Sequence, residues 1–370
     1  MKKTTLILAG IALIAASCAK TEVVSSGPDG AEKGISFSAY TARPTKAQED
    51  VTTDNLTSFQ ATAIGNTAIY FDNVRFSKNS DTPAVWESSP AYFWPAYPLH
   101  FYAYNTPTKG IFTRDFDPLS QTITFSPSTN LSEQEDLVAA YAGSKSESDA
   151  TPTNNSLALT FNHYLTQIVV KAKNSNTAYT VEVSGVKIAH MKNKVKYTFS
   201  SNNAVVADDA DDATYSSEFT DNAKTLDGTA KEVMTANTDN KWYLVPQTVT
   251  AWNQATDKKN NSTKTYIALK VKITDPTNAA VYPISGTGSA WMAVPVPASQ
   301  VFQPGHKYTF VINFFQKNGA GFVDPENPSD IDGDGDADDD DKGMPIIGGP
   351  IQFSANVNTW PDETVITIDL

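Results

Sequence analysis

Tyr308-Thr-Phe310-Val-Ile312-Asn-Phe314 sets large apolar residues at every second position. That is the period at which a β-strand turns successive side chains to opposite faces. Shorter stretches repeat it: Ile35-Ser-Phe37-Ser-Ala39, Leu99-His-Phe101-Tyr-Ala103-Tyr, Leu157-Ala-Leu159-Thr-Phe161, Val195-Lys-Tyr197-Thr-Phe199 and Ile351-Gln-Phe353-Ser-Ala355. Pro, Gly, Asn and Ser punctuate the gaps. Short strands at roughly 8–12-residue spacing predict an all-β chain of antiparallel sandwiches. A length of 370 residues suits two of them. The single cysteine is Cys18, so nothing downstream can form a disulfide, and the fold must rest on its core and strand pairing. With 28 basic against 41 acidic residues the net charge is −13. That balance argues against nucleic acid and anionic membrane surfaces as partners.

The N-terminus has a different character. Lys2 and Lys3 precede the apolar run Leu6–Ala16, and small Ala15, Ala16 and Ser17 lead into Cys18. A charged start, an apolar middle and small residues at the cut make a secretory signal. The cysteine at the cut gives residues 1–18 the look of a bacterial lipoprotein signal, with Cys18 as the lipidated first residue. A plain signal peptide with an incidental cysteine is the alternative. The run is too short for a membrane-spanning helix, which needs ~20 apolar residues. Residues 19–34 are polar and aperiodic, a tether rather than a folded element.

Signals for chemistry are few. His100, His163, His190 and His306 stand apart, without metal-site spacing, and read as structural or surface residues. No nucleophile elbow, phosphate loop or dinucleotide fingerprint is present. Paired carboxylates for hydrolysis are set by distance in space, which sequence neither excludes nor supports. Ser132-Glu-Gln-Glu135 matches a capping box before Leu137-Val-Ala-Ala, so this stretch reads as a short helix or as a strand. The sharpest pattern lies in the acidic loop 324–343. Asp330, Asp332, Asp334, Asp338 and Asp341 occupy positions 1, 3, 5, 9 and 12 of a twelve-residue loop. Gly335 sits at the turn position and Asp336 follows it, as in Ca²⁺ loops, with Asp in place of the usual final Glu. Such an ion would be structural, and no other cofactor is called for. The bland reading is a solvated acidic loop.

Several motifs in order resemble the fimbrillin-like proteins of the Bacteroidales. They are the lipoprotein signal, Ile35-Ser-Phe37-Ser-Ala39-Tyr40-Thr-Ala-Arg43, Tyr92-Phe93-Trp94-Pro95 with Leu99–Tyr104, and Leu157–His163. Val245-Pro246-Gln247, Gly305-His-Lys-Tyr308-Thr-Phe310, Gly319-Ala-Gly-Phe322, Pro350-Ile-Gln-Phe353, Val357 and Trp360 complete the set. The resemblance implies two transthyretin-like antiparallel β-sandwich domains in tandem, here 35–163 and 164–370. It also implies an outer-membrane lipoprotein that serves as a stalk, tip or anchor subunit of a pilus in cell adhesion, and not an enzyme. In such subunits a trypsin-like protease removes the N-terminal strand, and a neighbour's C-terminal strand fills the groove. On this sequence the leaving strand would carry Ile35, Phe37 and Ala39 inward, and the donor Ile366, Ile368 and Leu370. Cleavage would follow Arg43 or Lys46; Pro44 makes Arg43 a poor site for a trypsin-like protease. The implied partners are other pilus subunits, the outer membrane through lipid on Cys18, and a receptor on a host or bacterial surface.

The alternative is a surface carbohydrate-binding lipoprotein that does not polymerise, using aromatics around Tyr92–Tyr104, with Trp94 and Tyr102 exposed. Alternation of Leu99, Phe101 and Ala103 favours a core role for that stretch.

Overall fold

A computed structural model describes residues 34–41, 51–152, 154–235, 241–317 and 319–347, and the backbone of 352–354, 358–359 and 364–369. Cys18, Arg43, Lys46 and Leu370 lie outside the described residues.

The first half contains β1 (Ser36–Thr41), β2 (Ser58–Gly65), β3 (Ala68–Lys78), β4 (Trp86–Ser88) and β5 (Leu99–Tyr104). It continues with β6 (Ile111–Phe116), β7 (Gln121–Ser126), β8 (Val138–Lys145) and β9 (Ser156–His163). Then come β10 (Thr166–Asn174), β11 (Thr180–Lys192), β12 (Val195–Thr198), β13 (Asn203–Val206) and β14 (Asp212–Glu218). Four short strands follow, β15 (Lys224–Thr225), β16 (Lys231–Glu232), β17 (Trp242–Leu244) and β18 (Gln247–Thr248). β19 (Tyr266–Thr274), β20 (Ala280–Tyr282), β21 (Ala290–Pro295), β22 (Val301–Phe302), β23 (His306–Phe314) and β24 (Phe322–Val323) come next. The chain closes with β25 (Gln352–Ser354), β26 (Asn358–Thr359) and β27 (Thr364–Asp369). The described residues contain no α-helix, only single 3₁₀ turns, and no helix long and apolar enough to cross a membrane. The fold class is all-β.

Seven strands of the first half close on themselves in the order β1-β4-β3-β2-β5-β8-β9. Closure abolishes the exposed strand edges that an open sheet must otherwise protect. The second half builds two more sheets of seven strands each. One runs β16-β10-β23-β27-β25 and the other β14-β11-β19-β21-β24. A four-stranded sheet, β13-β12-β7-β6, draws its strands from both sides of residue 163, with β7 and β12 antiparallel.

The cores follow the alternation. Phe37, Phe59, Phe76, Trp86, Phe101, Leu157 and Phe161 fill the closed sheet. Ile168, Val170, Ile188, Leu269, Phe310 and Ile312 belong to the cluster of the second half. Tyr102, Tyr104, Ile123, Tyr164, Tyr197 and Tyr243 form a further layer between the closed sheet and the four-stranded one.

That layer corrects an expectation. Trp94 is 2% exposed and Tyr102 6%, so neither offers a platform to a ligand. Leu99, Phe101 and Ala103 face inward as their spacing predicts, but the opposite face of β5 is covered too. Alternation within β5 cannot reveal a second cover supplied by strands distant in sequence.

Between β7 and β8 the helix-or-strand choice falls to strand. One 3₁₀ turn, Leu131–Glu133, is capped by Asn130, whose side chain accepts from the Ser132 amide. Glu135 turns away to Thr108, with its carboxylate 2.8 Å from the hydroxyl, and Val138–Lys145 pairs as β8.

Candidate assembly site

β1 is the strand that closes the first half. Ser36–Thr41 pairs in parallel with Ser156–Phe161 of β9 across six residues. On its other side only Ser36 and Phe37 pair, antiparallel, with Glu87 and Trp86 of β4. Ile35, Phe37 and Ala39 lie in the core cluster, as the sequence predicts for inward residues. Phe37 packs against the rings of Phe76, Phe101 and Phe59 at centroid distances of 4.8, 5.3 and 5.8 Å. Fully burying a side chain such as Ile35 or Phe37 is worth about 1.5–3 kcal/mol.

The other face of β1 is also covered. Ser36 and Ser38 are buried, and buried hydroxyls need partners. Ser36 donates to the Asn155 carbonyl at 3.0 Å, and Ser38 shares a hydrogen bond with Ser156. The half-buried strand expected from the alternation is therefore buried on both faces until Tyr40, which is 55% exposed.

The described chain resumes beside the end of β1. Thr41 and Thr53 exchange hydrogen bonds: each amide donates to the other's hydroxyl at 3.2 Å. Just before, the Val51 amide points at Asp136 Oδ2 (3.4 Å), which is also 2.6 Å from His163 Nδ1. Asp136 and His163 are both buried. Thr41 and Thr53 are thus fastened to each other, and Val51 to Asp136, on either side of residues 42–50 in sequence. Isolated residues such as Thr41, Thr53 and Asp136 carry no sequence signal for these pairings.

The C-terminal strand has a related setting. Thr364–Asp369 of β27 pairs in parallel with Tyr308–Asn313 of β23 across six residues. On the other side Ser354, Phe353 and Gln352 of β25 pair antiparallel with Thr367, Ile368 and Asp369. Candidate leaving strand and candidate donor each lie between one long parallel neighbour and one shorter antiparallel neighbour.

A fimbrillin-like family model matches residues 35–325, from the residue before β1 to just beyond β24. The chain belongs to the fimbrillin-like family. A search among curated proteins finds no match. Among solved structures, this fimbrillin-like chain is similar to a fimbrial protein from Bacteroides vulgatus, with a TM-score of 0.53 and 17% identity. The match covers 75% of this chain and 94% of that one. A proposed cell adhesion protein from Bacteroides uniformis is 14% identical with a TM-score of 0.41, over 79% of this chain and 95% of that one. At these identities the B. vulgatus structure supports the fold.

The acidic loop brings together Asp330, Asp332 and Asp334, whose carboxylate oxygens lie within 4.8 Å of one another. Asp341 goes elsewhere. It is 2% exposed and accepts from the amides of Ile331 (2.9 Å) and Asp338 (3.0 Å). Asp336 and Asp338 are not part of the converging group. At one oxygen each, three carboxylates supply three of the about six to eight oxygens that Ca²⁺ takes, so bidentate binding, carbonyls or water would have to complete the shell.

Proposed function

We propose that this fimbrillin-like chain is a subunit of a surface filament that serves cell adhesion, assembled by strand replacement and without enzymatic activity.

The observation that carries the reading is the place of β1 as the closing strand of a closed sheet, with Phe37 at the centre of its aromatic core.

Removing such a strand leaves β9 and β4 with unpaired edges and wets Phe59, Phe76 and Phe101, so the product seeks a replacement strand. In this reading cleavage after Arg43 or Lys46 frees β1, and β27 of a neighbouring subunit, with Ile366, Ile368 and Leu370, takes its place. Residues 35–163 form the accepting domain and 164–370 the donating one, each a transthyretin-like sandwich in design. Lipid on Cys18 holds the unprocessed chain at the outer membrane, and the finished filament meets a receptor on another cell. The supporting facts are family membership and the matching polarity of the two strand settings.

Limited trypsin treatment of the purified full chain tests the reading. Laddered oligomers that appear only after cleavage before Val51 are expected; cleaved chains that stay monomeric overturn it. Mass spectrometry of the N-terminus from surface-purified material reads processing directly, and lipid-modified Cys18 on every molecule would make the chain a fixed anchor. The acidic loop is proposed as a structural Ca²⁺ site built on Asp330, Asp332 and Asp334, with Asp336, Asp338 and Asp341 as the remaining candidates. Calorimetric titration of wild type and Asp332→Ala checks it; no heat at millimolar Ca²⁺ removes the ion.

A further inference from the structure

The outer face of the β11-β19-β21 sheet holds a buried lysine. Lys187 on β11 is 3% exposed, and its Nζ lies 2.9 Å from Oδ2 of Asp324, which is fully buried. Tyr266 and Trp291 flank the ammonium, with ring centroids 5.7 and 5.1 Å away. Glu326 Oε2 is 3.9 Å from the same nitrogen, and Asn327 Oδ1 accepts from it at 2.6 Å.

The two oxygens of Asp324 have different surroundings. Oδ1 accepts from the amides of Glu326 (2.8 Å) and Asn327 (2.9 Å) and lies 3.1 Å from the Tyr266 hydroxyl. Oδ2 accepts no directed hydrogen bond and faces the lysine. Donors gathered on one oxygen of a carboxyl group polarise it and stabilise negative charge there during attack on the carbon. The other oxygen is then placed to leave. Burial beside aromatic rings removes the water that would reverse the reaction, and fixed placement of amine and carboxyl supplies the proximity.

Local structure builds this placement. Gly321 has φ +82° and any Cβ there would collide with Met292, so glycine lets β24 lie against β21 and deliver Asp324 over the sheet. On β11 a bulge between Ile188 and Met191 sets His190 at φ +58°, with its Nε2 2.9 Å from Glu326 Oε1. Bulges re-aim side chains in this way.

We propose that Lys187 and Asp324 condense into an intramolecular amide. The amine nitrogen bonds to Cγ of Asp324 as the Cγ–Oδ2 bond breaks. The ammonium gives up two protons, which leave with Oδ2 as water, so one ammonium and one carboxylate become one neutral amide and one water. Glu326 relays a proton from nitrogen to departing oxygen, and Tyr266 and the two amides hold Oδ1. No oxidant or cofactor enters. The bond staples the middle of β11 to the segment after β24, a covalent crosslink in a chain whose only cysteine is Cys18. Its value under tension rests on the filament reading; its existence does not.

Peptide mapping of the full chain, denatured and digested with trypsin, tests the bond whatever the oligomer experiment gives. A branched peptide joining residues 174–192 to 318–342, uncut after Lys187 and lighter than the two parts by one water, is expected. Separate linear peptides cut after Lys187 overturn the proposal. Loss of ammonia instead, with the link at Asn327, overturns the assignment to Asp324. Glu326→Gln, at an exposed position, is expected to lower the branched fraction several-fold in folded protein; an unchanged fraction removes Glu326 from the reaction.

Discussion

β1 and β27 rest in beds of the same polarity but unlike consequence. Both have six parallel pairs on one side and a short antiparallel partner on the other. β1 closes a circuit, so its loss opens the sheet on two edges and uncovers Phe37's neighbours. β27 lies next to the end of an open sheet, with only β25 beyond it, so its departure leaves β16, β10 and β23 paired. The lesson is an asymmetry. Losing the N-terminal strand opens a closed sheet, whereas losing the C-terminal one shortens an open sheet.

The largest effects should come from β1. Phe37→Ala removes a ring from a packed aromatic cluster, and such truncations cost about 3–5 kcal/mol. A steep fall in the Tm of the uncut monomer is expected; a fall no larger than that of a surface substitution breaks the comparison. Ile368→Asp is expected to abolish trypsin-induced oligomers, read by size exclusion, while the monomer Tm moves much less than in Phe37→Ala. Equal losses of Tm would make β27 as permanent a strand as β1.

A smaller effect belongs to the fastening at Thr41. Thr53→Val removes the hydroxyl side of a reciprocal pair, worth about 1 kcal/mol per hydrogen bond. Faster release of the cleaved N-terminal fragment is expected, followed by mass spectrometry over time. Unchanged release would mean that pairing with β9 alone sets the rate.

The smallest concerns the cover of the closed sheet. The Arg114 guanidinium hydrogen-bonds Asp72 from β6 and holds its carboxyl below the usual carboxylate range. A lowered folded pKa contributes stability above the ordinary carboxylate pKa and loses it as pH falls through the lowered value. The pair is partly exposed, so solvent screening limits it to at most about 1 kcal/mol. Arg114→Ala should lower Tm slightly at neutral pH, and the gap to wild type should close in acid. A constant gap across pH assigns the effect to packing.

Much of the fold was legible because alternation is local. Ile35, Phe37 and Ala39 point inward, and Leu99, Phe101 and Ala103 do likewise, as a two-residue period requires. Tyr102 and Trp94 were not legible as buried, since their cover comes from Phe116, Phe199 and the Phe101 side of the core. The acidic loop could be read as a spacing of ligands, yet the spacing did not show Asp341 turning to the amides of Ile331 and Asp338. Lys187 and Asp324 gave no signal: residues far apart in sequence meet only when β24 is laid beside β21.

Sequence by itself determined the all-β class, the inward residues of β1 and the inward set Leu99, Phe101 and Ala103 of β5, and the absence of disulfides in a chain whose one cysteine is Cys18, because each follows from local period or from counting. Tertiary structure alone decided that β1 pairs in parallel with β9 and closes a sheet, and that Lys187 reaches Asp324. Strand neighbours and buried charge pairs are chosen by which surfaces can be covered together, and that choice is made by the whole chain.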